Sequence, residues 1–232
     1  MKICIIGGTG HIAKFLVPML VQDGHKVVVV SSGRKPLPQE WTHVEHQRCS
    51  YLRDDDTWQN FIMEVEAEII IDILGVDLLS TYKAGKGSCK QLIACGSLWM
   101  LGVPKQIPTP EITQGPCQFL GYARRYKEIQ ELIKVAAENV ARAFWRAVDQ
   151  PQKVAGKIFN VGPNYALSAV EFVDPAECYT KILPNLGGNY HFRAHMLPDI
   201  SRLKETLGYS PKYTPEESMQ RAVLWMENEN LL

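Results

Sequence analysis

The chain has 232 residues, of which 46% are hydrophobic and 22% charged, so it is long enough for one α/β domain with a sizeable core. Its 25 basic residues balance 25 acidic ones, and this balance argues against nucleic acid as a partner. No apolar run approaches the roughly 20 residues that span a bilayer, and the first run is too short for a signal peptide, so we expect no membrane partner. Six cysteines without a C-x-x-C pair argue against a metal site, and we expect reduced thiols in a cytoplasmic protein.

The amino-terminal stretch has the pattern of a strand, a glycine-rich turn, a helix and a second strand. An apolar run at 2–6 leads into Gly7-Gly8-Thr9-Gly10-His11-Ile12-Ala13, and a second apolar run follows at 26–30. Gly8-x-Gly10-x-x-Ala13 fits the dinucleotide pattern G-x-G-x-x-G/A in the strand–turn–helix context that the pattern requires. The glycines permit a tight turn and close approach to a pyrophosphate, which the N–H groups of the helix start would face. We predict that residues 7–12 bind a dinucleotide, the alternative being a purely structural glycine turn.

The turn after the second strand bears on the choice between NAD and NADP. An acidic residue roughly 20 positions beyond the glycines holds the ribose 2′-hydroxyl of NAD, whereas a nearby arginine accommodates the 2′-phosphate of NADP. No Asp or Glu occurs from residue 26 to residue 39, and the turn instead carries Ser31, Ser32, Arg34 and Lys35. An ordinary polar turn is the structural alternative. By this charge argument the sequence favours NADP, with NAD as the alternative.

The middle of the chain continues to alternate strands and helices. Strands are predicted around 43–47, at 68–74 and at 91–95, a helix begins after Asp54 or Asp55, residues 78–90 read as loop or poor helix, and 101–121 is a loop. This alternation predicts a Rossmann-like, doubly wound parallel sheet with helices on both faces and ligands at the carboxyl ends of its strands. We therefore add Leu74 and Gly75 to the predicted cofactor contacts, together with Asp54, which either caps a helix or reaches an adenine.

The carboxyl-terminal part is marked by helix boundaries. A long helix is predicted from 122 to 149 and stopped by Pro151, followed by a strand at 157–161 and a helix at 201–207 closed by Gly208. A capping box at Thr214-Pro215-Glu216-Glu217 predicts a last helix that runs through Trp225. We assign 1–150 to a dinucleotide-binding Rossmann domain and 151–232 to a small α/β substrate lobe integrated with it.

Four short motifs occur along the chain in a recognisable order. They are the glycine turn at 7–13, CGSLWMLG at 95–102, KIFNVG at 157–162 and the segment 199–211, which ends in LGYSP. Together they resemble the extended short-chain dehydrogenase/reductases, also called the NAD-dependent epimerase/dehydratase family. The resemblance spans most of the chain, and several weak motifs in one order are more specific than any one of them.

The resemblance implies catalysis by a serine, a tyrosine and a lysine. The family's tyrosine, with its pKa lowered by the lysine, exchanges a proton with a substrate hydroxyl or carbonyl. By motif, Ser97 takes the serine position and Tyr122 the tyrosine position. The lysine is expected four residues later, where Tyr126 stands, and Lys127 comes one residue late. Since one residue turns a side chain by about 100° around a helix, either a local distortion lets Lys127 serve or the triad is incomplete.

The resemblance also implies a function and a partner. It implies an NAD(P)-dependent oxidoreductase, epimerase or dehydratase that acts on a small-molecule hydroxyl or carbonyl compound, such as a sugar-nucleotide, and a homodimer through the tyrosine-bearing helix. The alternative is an NADP(H)-binding sensor or scaffold that has lost the chemistry. Several dozen residues expected in relatives are absent near 134–138 and 171–175, so either the substrate lobe is reduced or segments of a longer chain are missing there.

Overall fold

The structure is a computed structural model that describes residues 1–49, 56–75, 77–102, 104–112, 141–162, 165, 197–215 and 217. Three predicted site residues, Asp54, Tyr122 and Lys127, lie outside these residues. So do the junctions at 134–138 and 171–175 and the predicted last helix beyond 217.

Five parallel strands form the sheet. They are β1 (Lys2–Ile6), β2 (Lys26–Ser31), β3 (Glu45–Arg48), β4 (Ile69–Asp72) and β5 (Gln91–Ala94), in the order β3-β2-β1-β4-β5. Ile6 lies opposite Val30 on one side and Asp72 on the other, so β1, β2 and β4 end at the same edge. The predicted doubly wound parallel sheet is confirmed, with β3 and β4 differing from their predicted bounds by one or two residues at each end.

The described helices lie on both faces of this sheet. They are α1 (His11–Gln22), α2 (Asp56–Val65), α3 (Leu78–Gly85), α4 (Ala141–Asp149), α5 (Pro151–Val154) and α6 (Ser201–Leu207), with a 3₁₀ turn at Leu98–Leu101. None of the described helices combines the length and the apolar character that crossing a membrane demands.

Alternate residues of the central strands face two separate cores. Ile3, Ile5 and Val29 pack with α1, α4 and α6 on one face, whereas Cys4 and Ile6 pack with α2 and α3 on the other. Because both faces are covered, the strands read as continuous apolar runs rather than as alternating ones. Burial, followed by the charge of Asp72, raises the pKa of the Cys4 thiol to about 12, so this cysteine is a packing group and not a nucleophile.

The segment predicted as loop or poor helix at 78–90 contains a regular helix, α3. Asp77 caps it, with Oδ1 accepting a hydrogen bond of 3.0 Å from the Ser80 N–H. Gly85, which weakened the helical pattern, lies so close to β4 that a Cβ there would be 2.9 Å from Ile70 Cδ1. This glycine is therefore a site of close helix–sheet packing.

Of two predictions around residues 150–161, the helix end is confirmed and the strand is wrong. The predicted helix end before Pro151 is confirmed, because α4 ends at Asp149, and Pro151 then occupies the first turn of the short helix α5. The predicted strand at 157–161 has no ladder partner in the described part of the chain. Instead, the Asn160 N–H donates to Glu111 Oε1 at 3.0 Å and Asn160 Nδ2 donates to the Thr109 carbonyl at 2.7 Å. The hydrogen bonds of Asn160 are thus accepted by the Glu111 side chain and the Thr109 carbonyl and not by a neighbouring strand.

The helix ends predicted near the carboxyl terminus are confirmed. α6 ends at Leu207, and Gly208 follows in the left-handed conformation with φ +60°. In the capping box, the Thr214 N–H donates to Glu217 Oε2 at 2.8 Å and the Glu217 N–H donates to Thr214 Oγ1 at 3.2 Å.

Gly208→Ala is expected to lower the free energy of unfolding by about 1 kcal/mol, because alanine is strained at a positive φ. Gly87→Ala is the matched control, since a Cβ at either position meets no atom within 4 Å and only Gly208 has positive φ. Urea unfolding of both variants measures the difference. Equal stability of the two variants would show that φ is not the cause.

Candidate functional site

The glycine turn between β1 and α1 is attached to the end of β2. The N–H groups of Gly7 and Gly8 both donate to the carbonyl oxygen of Val30, at 2.9 and 3.3 Å. The Gly10 N–H then donates to the Gly7 carbonyl at 3.1 Å, which closes the turn. The start of α1 is thereby placed at the carboxyl edge of the sheet.

The space around this turn explains why its residues are glycines. A Cβ at Gly8 would lie 2.6 Å from Val29 Cγ1 and 3.1 Å from the Ile5 carbonyl oxygen. A Cβ at Gly7, where φ is +83°, would lie 2.7 Å from Leu74 Cγ. Gly8 is thus required by close packing on β1 and β2, and Gly7 by its positive φ together with the contact to Leu74.

The amino terminus of α1 is suited to an anion. Gly10 is the residue that precedes the helix, so no side chain caps it, and its first turn contains no acidic residue. The first N–H groups of a helix have no intrahelical partner and carry partial positive charge. This end of α1 can therefore hold a phosphate through backbone N–H groups.

The turn after β2 contains one buried serine that hydrogen-bonds within the turn and several exposed residues, two of them basic. Ser31 is buried, and its hydroxyl lies 2.9 Å from His46 Nε2 and accepts from the Gly33 N–H at 3.2 Å. Ser32, Arg34 and Lys35 are exposed. Ser31 therefore shapes the turn, while the exposed residues are available to a ligand.

Asp72, which sequence reasoning missed, braces the end of β4. Its side chain is buried, and Oδ1 accepts from the N–H groups of Leu74 and Gly75 at 2.9 and 2.6 Å. Gly75 has φ +58°, and Leu74 lies against Gly7 of the glycine turn. The signal was present in the sequence, since Asp72 is the one acidic residue between Ile69 and Leu74. Its carboxylate holds the predicted cofactor contacts Leu74 and Gly75 in place.

Ser97 follows β5 at the same edge of the sheet. It is half-buried, and its backbone N–H donates to Met100 Sδ at 3.4 Å at the start of the 3₁₀ turn. Because β5 is parallel to β4, the structure brings Ser97, the turn at 74–75, the glycine turn and the turn at 31–35 to one edge. These are the ends of four adjacent strands, where ligands bind in open α/β sheets.

A cleft of about 850 Å³ lies between α1 and the segment 35–44. Thr9 and Lys35, both predicted cofactor contacts, belong to its lining, as does Lys14. Apolar residues, including Val17 and Trp41, form much of the remainder. Its size is within the range of about 300–1,000 Å³ typical of small-molecule sites.

Comparison with known proteins identifies similar folds among solved structures. No family model matches the sequence, and no curated protein matches it. Among solved structures, dTDP-glucose 4,6-dehydratase from Bacillus anthracis in complex with NAD is 14% identical, with a TM-score of 0.73 over 98% of this chain and 97% of that chain. UDP-glucose 4-epimerase from Bifidobacterium longum in complex with NAD⁺ and UDP is 15% identical, with a TM-score of 0.72 over 98% of each chain. The epimerase from Thermotoga maritima with UDP-glucose is 12% identical, with a TM-score of 0.70 over 99% of each chain.

These similarities agree with the resemblance read from the motifs. At identities of 12–15% they establish that the chain has the Rossmann-like fold of NAD-dependent epimerases and dehydratases.

Gly8→Ala is expected to lower the free energy of unfolding by about 1–3 kcal/mol, because its Cβ would overlap the Val29 side chain. Val29→Ala removes that overlap, so Gly8→Ala should cost less in the Val29→Ala background. Urea unfolding of the parent, both single variants and the double variant measures this coupling. Gly87→Ala is the control, and strictly additive effects would contradict the packing argument.

Proposed function

We propose that this protein is an NAD(P)-dependent oxidoreductase, epimerase or dehydratase that acts on a hydroxyl or carbonyl group. The observation that carries the proposal is the glycine turn bonded to the Val30 carbonyl, which places the uncapped amino terminus of α1 at the carboxyl edge of the sheet. The similar solved structures support it, since the dehydratase was solved with NAD and an epimerase with NAD⁺ and UDP.

Three described turns would hold the cofactor. Residues 8–12 are suited to the pyrophosphate through the N–H groups at the start of α1, the turn at 31–35 to the adenosine ribose, and Leu74 and Gly75 to the adenine side of the site. We favour NADP over NAD, because Arg34 and Lys35 are exposed at the second turn and no acidic residue occurs from 26 to 39. Asp54 stays a prediction for the adenine.

The chemistry would rest on the polar residues beyond β5. Bound nicotinamide supplies an acceptor or donor of hydride. Ser97 would hold the reacting oxygen of the substrate by a hydrogen bond, and Tyr122 would exchange the proton with that oxygen. Lys127 would lower the pKa of Tyr122 if the helix brings the two together. All three roles are carried over from the resemblance, and only Ser97 lies within the described residues.

The substrate class we propose is a sugar-nucleotide. Its support is that similar structures were solved with UDP or UDP-glucose. A homodimer through the tyrosine-bearing helix stays a prediction. The displaced lysine motivates a second candidate function, an NADP(H)-binding sensor or scaffold, in which the cofactor site is kept and turnover is absent.

Titration calorimetry with NADP⁺ and NAD⁺ tests the cofactor. We expect one site per chain, with NADP⁺ bound at least about tenfold more tightly, which corresponds to about 1.4 kcal/mol. Binding of neither dinucleotide would overturn the proposed function. A preference for NAD⁺ would refute the argument from Arg34 and Lys35 alone.

Tyr122→Phe is expected to abolish turnover and to leave dinucleotide affinity nearly unchanged, because it removes only the proton-exchanging hydroxyl. Tyr126→Phe is the matched control and should retain turnover. The readout is nicotinamide absorbance and product analysis with a panel of nucleotide sugars. Full activity of Tyr122→Phe would contradict the assignment of Tyr122 as the catalytic tyrosine. If the parent protein binds NADP⁺ but converts none of the nucleotide sugars, the sensor or scaffold function is favoured.

A further inference from the structure

We infer that Arg48, at the end of β3, selects NADP over NAD by binding the 2′-phosphate of the adenosine ribose together with Arg34 and Lys35. This inference rests on the proposed function and adds to it a specificity-determining residue from a different strand. Arg48 is 40 residues beyond Gly8, outside the segment in which the sequence pattern places cofactor-selecting residues.

The sheet places Arg48 directly beside the turn at 31–35. Arg48 lies opposite Ser31 in the register of β2 and β3. The Cys49 N–H donates to the Ser31 carbonyl at 3.1 Å, so the pairing is maintained just beyond Arg48. Both strands end here, at the edge where the glycine turn is attached to Val30.

The side chain of Arg48 lies against the backbone of this turn. Gly33 has φ +77°, and a Cβ on it would lie 2.7 Å from Arg48 Cδ and 3.1 Å from Arg48 Nε. The absence of a side chain at Gly33 therefore makes room for the arginine stem. Arg48 Nε, the first nitrogen of its guanidinium, therefore lies beside Gly33, the residue that precedes Arg34 in the sequence.

The hydroxyl of Ser31 is already engaged within the turn. It accepts from the Gly33 N–H and bonds His46 Nε2. Burial, followed by the charge of Arg48, lowers the pKa of His46, so its imidazole is neutral at pH 7 and Nε2 can accept the Ser31 proton. A ligand at this turn would therefore meet the cations of Arg34, Lys35 and Arg48 rather than the Ser31 hydroxyl.

Charge favours a dianion at this place. Among the residues that the structure describes, none of these three cations forms an ion pair with a carboxylate. All three are cationic residues of one turn or of the strand end beside it, so each attracts a phosphate that binds at the turn. Arginine presents a planar fork that matches phosphate oxygens, so Arg48 offers more than a lysine at the same position would. NAD carries only a hydroxyl there and would gain little.

The test is the affinity of Arg48 variants for NADP⁺ and NAD⁺, measured by calorimetry on the full chain. Arg48→Gln is expected to weaken NADP⁺ binding about tenfold or more and to change NAD⁺ binding less than about twofold. Arg48→Lys should give an intermediate loss for NADP⁺. Lys90→Gln, at the opposite edge of the sheet, is the control and should change neither affinity. Urea unfolding of each variant verifies that the fold is kept.

The outcomes separate this inference from the proposed function. If the parent protein binds neither dinucleotide, the proposed function fails, and this inference fails with it. If the parent prefers NADP⁺ but Arg48→Gln weakens both dinucleotides equally, Arg48 only packs on Gly33 and the inference alone is overturned. An unchanged NADP⁺ affinity in Arg48→Gln also overturns it. Selective loss of NADP⁺ affinity supports both.

Discussion

The close approach of the glycine turn to β2 is the constraint on which the rest of this structure depends. One carbonyl, that of Val30, accepts from two consecutive N–H groups, and Gly8 rests on Val29 with no room for a Cβ. This contact fixes where α1 begins. It also leaves the amino terminus of α1 open at the carboxyl edge, since a glycine at that position offers no capping side chain.

The polar groups at this edge have two roles, and the role of each group depends on whether it is buried or exposed. Asp72 and Ser31 are buried at the ends of β4 and β2, and their oxygens hold backbone N–H groups of the turns that follow. Arg34 and Lys35 are exposed, as are Ser32, Gly10 and His11. Buried side chains thus shape the turns, whereas exposed cations and backbone N–H groups face solvent and any anionic ligand.

Fold and chemistry rest on different evidence in this protein. The strand order, the parallel register and solved structures with TM-scores of 0.70–0.73 establish a Rossmann-like fold at identities of only 12–15%. Unrelated reactions share such folds, so the reaction depends on particular side chains. Ser97 is placed at the expected edge. Lys127 stands one sequence position later than the lysine that the motif implies, which on a helix corresponds to a rotation of about 100°.

The sequence by itself determined the elements whose causes are local. The parallel sheet follows from apolar runs that alternate with amphipathic segments, the turn between β1 and α1 from its glycine spacing, and the end of α6 from Gly208, because each signal lies within a few residues. Only the tertiary structure decided what depends on distant partners. Asp72 acts on a turn packed against β1, Asn160 bonds a loop about 50 residues away in place of a strand, and Arg48 reaches the turn after β2 through sheet register. No local pattern encodes which segments meet, so these contacts had to be read from the folded chain.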